Sequence, residues 1–359
     1  MLKEESFPRS ASELSLDWFN AATTEQVGAP ASDISVEPLD GGDGFYGSLY
    51  KVTASYANAE EPRAFVAKLS AQNSLARAAV NQINGYEREV NFYRHVADRI
   101  RVRVPECYFA EYDQARGESL LLLELVEGAP GTHLEGATFE QAEAAMRIAA
   151  RLHGAWQGNP ALADPRIDKL TDARFTGAMA EAARQAIPMA LQKLPGIAPE
   201  WIMDQVPRAD EIIVEQARAL NELPHTLTHF DYHVSNLVFP SKPSSEGPVL
   251  IDWQFVVSGP GVWDVGAFCV MGLPVEQRRA WEFELGLIYL SELSGETVSA
   301  WPRWFREAYP RFAVSFAAHM IRNTPVFDFD DPNAVAIVRE FLRRAEWAIE
   351  DHDARHLAG

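Results

Sequence analysis

The sequence predicts an α+β chain, with an antiparallel sheet and one long helix in its first third and a mostly helical remainder. Three observations carry that expectation. Apolar and polar residues alternate with period two across 34–69, Ala-rich charged segments at helical spacing dominate after residue 139, and the only later strand-like patches are 237–239 and 249–251.

Each element has its own signal. Ser10-Ala11-Ser12-Glu13, followed by Leu14, Leu16, Trp18 and Phe19, reads as a capped N-terminal helix. Tyr50, Val52, Ala54 and Tyr56 alternate with Lys51, Thr53 and Ser55, which gives one strand; 64–69 gives a second after a polar turn. A single helix is expected over 81–100, stopped near Pro105. Stepped at about 100° per residue, Ile83, Tyr86, Val90, Tyr93, Ala97 and Ile100 form one apolar stripe. Leu120-Leu121-Leu122-Leu123-Glu124-Leu125-Val126 reads as a buried strand that ends in a connector. A lobe boundary therefore falls at 126–131, dividing the chain into 1–127 and 128–359. Segments 139–156 and 208–221 read as helices.

Composition narrows the function classes. The 359 residues suffice for about two domains, and 32 Lys plus Arg against 51 Asp plus Glu give a net charge of −19. That balance excludes a general nucleic-acid binder, which needs cationic side chains to neutralise phosphates, and it disfavours anionic membranes. No apolar run approaches the roughly 18 residues of a membrane span, and Met1-Leu2-Lys3-Glu4-Glu5-Ser6 lacks a signal-peptide core, so a cytoplasmic protein is expected. Cys107 and Cys269 stand alone in apolar settings and read as reduced, mostly buried thiols rather than a zinc site or disulfide.

Gly42-Asp43-Gly44-Phe45-Tyr46-Gly47 matches G-x-G-x-x-G. In a dinucleotide fold these glycines open a helix; here an alternating strand follows, which favours a hairpin closing over phosphates, with a plain turn as the alternative. Lys68 sits in the apolar strand Phe65-Val66-Ala67-Lys68-Leu69, where an ammonium needs an anion unless it faces solvent. Glu89, at the edge of the helical stripe, is the expected partner, and Glu87 lies off it. Such a pair would hold the ammonium toward the α- and β-phosphates of a nucleotide.

The richest segment is Thr228-His229-Phe230-Asp231-Tyr232-His233-Val234-Ser235-Asn236, followed closely by Ile251-Asp252-Trp253-Gln254. One reading makes His229, Asp231 and His233 transition-metal ligands. It gives no role to Asn236, Asp252, Lys68 or the glycine loop. The other uses every element. Asp231 accepts or orients the proton of an attacking hydroxyl, while Asn236 and Asp252 offer hard oxygen donors to Mg²⁺. His229 then fixes the loop through a backbone hydrogen bond, and His233 supports the loop or faces substrate.

These motifs resemble the aminoglycoside phosphotransferase and choline kinase relatives of protein kinases, and most of all the ecdysteroid-kinase-like (CHK-kinase-like) branch. Arg151-Leu152-His153-Gly154-Ala155-Trp156 resembles that group's helix before the catalytic segment. Gly259-Pro260-Gly261-Val262-Trp263-Asp264-Val265-Gly266 resembles the segment after it. Phe230 departs from the family's usual Gly, and Trp253-Gln254 replaces the Phe-Gly of protein kinases. The resemblance spans about residues 34–275 and implies a bilobal protein-kinase-like fold, with a nucleotide-binding β-sheet N-lobe and a helical C-lobe carrying the catalytic loop and substrate site. ATP would lie between the lobes, bound by Gly42, Gly44, Gly47, Ser48, Lys68 and Glu89, with its adenine near Glu124 and Val126. Asp231 would be catalytic, Asn236 and Asp252 would hold Mg²⁺, and His229 and Asp264 would support the loop. Asp264 is also expected to cap the helix that starts at Val265.

The implied activity is transfer of the γ-phosphoryl group of ATP to a hydroxyl of a small molecule, without nucleic acid, membrane or an obligate protein partner. The alternative is a non-catalytic kinase-like module that binds a nucleotide or a partner. Such a module is expected to lose Lys68, Asp231, Asn236 or Asp252, and all four are present. The acceptor is not legible from these motifs. The acidic, aromatic stretch Pro325-Val326-Phe327-Asp328-Phe329-Asp330-Asp331 suits either a cationic substrate or a solvated loop, and Trp281, Trp301 and Trp304 read as packing.

Overall fold

The computed structural model describes residues 7–44, 47–57, 59, 61–241 and 247–359. The chain divides into two compact units, 1–99 with 104–127 and 100–103 with 128–359.

In the first unit α1 (Leu16–Val27) precedes an antiparallel five-stranded sheet made of β1 (Asp33–Gly44), β2 (Gly47–Ser55), β3 (Arg63–Ser70), β4 (Cys107–Asp113) and β5 (Glu118–Glu124), in the order β1-β2-β3-β5-β4. The alternation seen in the sequence is the two-faced burial of these strands. Val52, Ala54, Phe65, Ala67, Leu69, Leu120 and Leu122 face a core shared with Trp18 and Phe19 of α1. Phe65 is the centre of that core, edge-on to Phe19 at 5.1 Å and to Tyr108 at 5.0 Å.

Two expectations change here. The helix expected over 81–100 is two helices, α2 (Ser74–Gln82) and α3 (Gly85–His95), broken where Asn84 takes a left-handed φ of 56°. Asn is one of the few residues that tolerates this conformation, and the apolar stripe runs on across the break because the spacing of Ile83, Tyr86 and Val90 survives it. At the N-terminus, Ser10 makes no cap bond and starts only a single 3₁₀ turn; Ser15 Oγ instead accepts from Trp18 N to open α1.

The second unit is mainly helical. Its helices are α4 (Phe139–Trp156), α5 (Ala178–Lys193), α6 (Glu200–Gln205), α7 (Ala209–Leu220), α8 (Val262–Gly272), α9 (Val275–Ser294), α10 (Arg303–Arg322) and α11 (Pro332–Asp351). Thr138 and Gln141 close a capping box at the start of α4. The strands are more numerous than the sequence suggested. Besides β8 (Leu237–Phe239) and β9 (Val249–Leu250), β6 (Ala129–Pro130) joins β8, and β7 (Thr226–Thr228) pairs with β10 (Val257–Gly259). Strands of two or three residues are too short to display a period, so only the pairing reveals them.

Every residue of α8 is buried, and apart from Asp264 its sequence carries no charged or hydroxyl side chain. Among the described residues no helix is long and apolar enough to cross a membrane. Cys107 and Cys269 form no disulfide, and burial pushes each thiol up to about 12.

Gly266 lets α8 pack close against α10, since a Cβ there would lie 2.6 Å from Phe312 Cβ. Overpacking of this kind costs roughly 1–3 kcal/mol. Gly266→Ala is therefore expected to lower the unfolding free energy by about that amount in a urea titration.

Candidate active site

The first unit assembles the residues singled out for a nucleotide. The β1–β2 hairpin pairs Gly44 with Gly47 and Asp43 with Ser48, so Gly42, Gly44, Gly47 and Ser48 are strand residues flanking the tip; Phe45 and Tyr46 lie outside the described residues. On β3, Lys68 pairs with Leu49. A Cβ on Gly47 would lie 3.1 Å from Leu69 O and 3.8 Å from Lys68 Cε, so glycine lets the hairpin sit close against β3 beside the lysine.

Lys68 Nζ donates to Glu89 Oε1 at 2.8 Å, with the two side chains 13% and 3% exposed. Glu89 is delivered by α3, which is tied to the sheet by Ala71 N donating to the Tyr86 hydroxyl at 2.9 Å. Glu124 ends β5 and pairs with Phe65, three residues along from Lys68; its carboxylate accepts from Glu106 N at 3.0 Å. Val126 follows the strand.

The second unit assembles the remainder. Asp264 has no exposure, and its carboxylate accepts from His229 N at 2.8 Å and from Phe230 N at 2.9 Å. His153 Nε2 lies 3.1 Å from the same carboxylate, and His153 Nδ1 is 2.9 Å from the Tyr289 hydroxyl. Both contacts are met if Nε2–H donates to the carboxylate and Nδ1 accepts from Tyr289. Asp264 therefore does not cap a helix: α8 begins at Val262, and the Asp264 side chain turns back to the loop before it.

The loop bends sharply at Phe230, whose φ is 70°. A glycine would take this conformation without strain; here the phenyl ring stacks on Trp263 at 4.1 Å and 8°, and Trp263 Nε1 donates to Phe230 O at 2.7 Å.

Beyond the bend, Asn236 Nδ2 donates to Asp231 O at 2.9 Å and to Asp231 Oδ2 at 3.2 Å. His233 Nε2 is 3.4 Å from Asp231 Oδ1. Burial alone would raise the Asp231 carboxyl, but the charge and hydrogen bond of His233, with His229 and His133 nearby, hold it well below the usual carboxylate range.

His229 Nε2–H donates to Ile251 O at 2.9 Å, so this imidazole ties the loop to the strand end. Ile251 N donates to Asn236 O at 3.0 Å, which sets Asp252 one residue beyond a bonded pair with Asn236. Asp252 has a left-handed φ of 63°, and its Oδ2 accepts from Gln254 Nε2 at 3.4 Å.

These residues fit a hard divalent cation better than a transition metal. The nitrogen of the Asn236 amide points at Asp231, so its oxygen is the donor atom on offer. Among the described residues no group of three His, Cys, Asp or Glu side chains could hold a metal.

Sequence reading missed His133 and His319. The His133 ring lies 4.7 Å from that of His233, and His319 lies 6.1 Å from the Phe230 ring. Each is a single histidine with no local pattern, so nothing in the sequence marks it.

The model of the phosphotransferase enzyme family known as APH matches residues 53–303, well over half of the chain. The chain belongs to that family. Solved structures agree on a kinase-like fold for this phosphotransferase family member. A protein from Ralstonia eutropha assigned to the aminoglycoside phosphotransferases is 15% identical, with TM-score 0.58 and coverage of 94% of this chain and 98% of its own. Choline kinase from Cryptosporidium parvum is 13% identical, with TM-score 0.54 and coverage of 96% and 95%. A spectinomycin phosphotransferase in complex with ADP and spectinomycin is 11% identical, with TM-score 0.52 and coverage of 96% and 99%. No curated protein sequence matches the chain.

Removing the Asp264 carboxylate strands two loop N–H groups and an imidazole. Asp264→Ala is expected to destabilise by roughly 3–5 kcal/mol, the range for breaking a buried charged network, and Asp264→Asn, which keeps one acceptor, by less. Chemical denaturation of the two variants checks this order.

Burial first, then the His233 ring, lowers His133 to about 3 from its ordinary 6.5. Between those values the unfolded chain binds a proton that the native protein does not, so stability rises with pH through the window and is fully present above it. His133→Gln is expected to flatten the pH dependence of the urea midpoint over this window.

Proposed function

We propose that the protein is an ATP- and Mg²⁺-dependent phosphotransferase that moves the γ-phosphoryl group to a hydroxyl of a small molecule, within a branch resembling the ecdysteroid kinases. The observation that carries this reading is the Asp231 carboxylate, kept ionised and held by Asn236 on a loop pinned by Asp264. Membership of the phosphotransferase family supports the reaction class.

Each residue has a role that follows from its chemistry. Phosphoryl transfer passes through a loose transition state, so the protein mainly positions groups and stabilises charge. Glu89 keeps Lys68 charged and aimed, and the ammonium then pairs with nucleotide phosphate oxygens. Asn236 and Asp252 would hold Mg²⁺, which when bound neutralises charge on the phosphates. Asp231 is too weak a base to strip an alcohol early. It instead accepts the hydroxyl's hydrogen bond, orients the oxygen for in-line attack, and takes the proton as the new bond forms.

The reading is tested by ADP release in the presence of ATP, Mg²⁺ and a panel of alcohols. Asp231→Asn is expected to lower kcat by roughly 10²–10⁴-fold. ATP with Mg²⁺ should still raise its melting temperature, because a ligand stabilises whatever it binds. Turnover near the wild-type rate in that variant would remove Asp231 from its role.

A further inference from the structure

Each oxygen of the Asp231 carboxylate faces a different side chain of its own loop. Asn236 Nδ2 donates to Oδ2 at 3.2 Å, and His233 Nε2 stands 3.4 Å from Oδ1. The two amide hydrogens of Asn236 go to Asp231 O and Oδ2, so the proton of His233 belongs on Nε2, toward Oδ1. The far side of that ring has no such anchor. His233 is buried, and its Nδ1 is enclosed by protein without a hydrogen-bond partner among the described residues. The torsion that turns an imidazole about its bond to Cβ is a broad one, so the direction of Nε2–H depends on what packs against the ring.

What packs there is His133. Its ring centroid lies 4.7 Å from that of His233, tilted by 56°, and on its own account it stands edge-on to Phe341 of α11 at 4.9 Å. His133 Nδ1 is likewise enclosed and without a partner among the described residues, so the two imidazoles meet as rings rather than through a hydrogen bond. The chain around His133 is held from both sides. Gly131 N donates to Val234 O at 3.1 Å, next to His233, and a Cβ on Gly131 would overlap the Val234 side chain. Gly136 N donates to Thr132 O at 3.0 Å and closes the turn. Arg344, three residues after Phe341 on α11, is buried; its Nη1 donates to Met271 O at 2.6 Å and its Nη2 to Leu134 O at 3.3 Å.

Resting on the phosphotransferase reading, we propose that His133 is a positioning residue for the reaction. Its ring holds His233 in the orientation that presents Nε2–H to Asp231 Oδ1, and the carboxylate is thereby fixed at both oxygens. Without the ring, Asp231 is held at Oδ2 alone. A displacement of about 1 Å in a group that orients a nucleophile can lower a rate by roughly 10²-fold, whereas nucleotide binding asks nothing of this contact.

The test follows ADP release at saturating ATP and Mg²⁺, with hexanediol, aminohexanol or water as the acceptor. His233→Ala is expected to lower kcat ~10–100-fold, the worth of a hydrogen bond to a charged group, and His133→Ala ~10-fold, both with KM for ATP unchanged. Because His133 acts through His233, His133→Ala should change kcat less than ~2-fold in the His233→Ala protein. His133→Phe, which returns a ring to the contact, should recover part of the loss. If the melting curve shows that His133→Ala does not fold, His133→Leu keeps the volume without the flat ring and enters the same cycle.

The positioning role is overturned if the folded single variant turns over at the wild-type kcat, or if it loses the same factor with and without His233. It is equally overturned if the loss falls on KM for the alcohol, which would put the ring against substrate. Each of these outcomes leaves the phosphotransferase reading standing. A wild-type protein that releases ADP neither to an alcohol nor to water overturns that reading, and this role with it.

Discussion

Against the loop that starts at His229 lies a carboxylate with no exposure to solvent, and the loop's shape answers that charge. An ion taken out of water costs several kcal/mol unless donors surround it. Asp264 obtains two consecutive backbone N–H groups, from His229 and Phe230, and the imidazole of His153. For successive amides to converge on one side chain the backbone must bend, and it does so at Phe230 with a φ of 70°. That conformation costs a residue with a Cβ about 1–2 kcal/mol. Stacking on Trp263 and the Trp263 bond to Phe230 O offset it, so charge, bend and stack form one unit. Asp231 is the next residue, and its direction is set by the same device.

The first unit solves a related problem with two charges instead of one. Lys68 and Glu89 are both largely buried, and neither would be tolerated alone. The sheet fixes the lysine by its register with Leu49 and Leu121, while α3 brings the glutamate. The left-handed Asn84 lets this short helix start afresh and choose its own direction.

Legibility in the sequence followed the range of the interactions concerned. The strands around Tyr50 and Lys68 announced themselves by alternation, because each residue's neighbours are set by a local period. The grouping of Asp231 with Asn236, and of Asn236 with the strand end at Ile251, was legible because these residues sit at short spacings along the chain. The break at Asn84 was hidden, since the apolar stripe runs across it unchanged. Asp264 looked like a helix cap from its position alone; its actual partners, thirty-four and thirty-five residues earlier, come from tertiary packing. His133 and His319 were invisible for the same reason, each being an isolated ring whose meaning depends on helices far along the chain.

Asn236 and Asp252 owe their spacing to the hydrogen bond between Ile251 N and Asn236 O, continued by the pairing of Leu237 with Leu250. Main-chain bonds of this type are indifferent to which aliphatic side chain projects from them. Leu237, Val238, Val249 and Leu250 can therefore be exchanged over generations for others of similar volume. Lineages descended from one ancestor can drift far apart here while Asn236 and Asp252 stay in step.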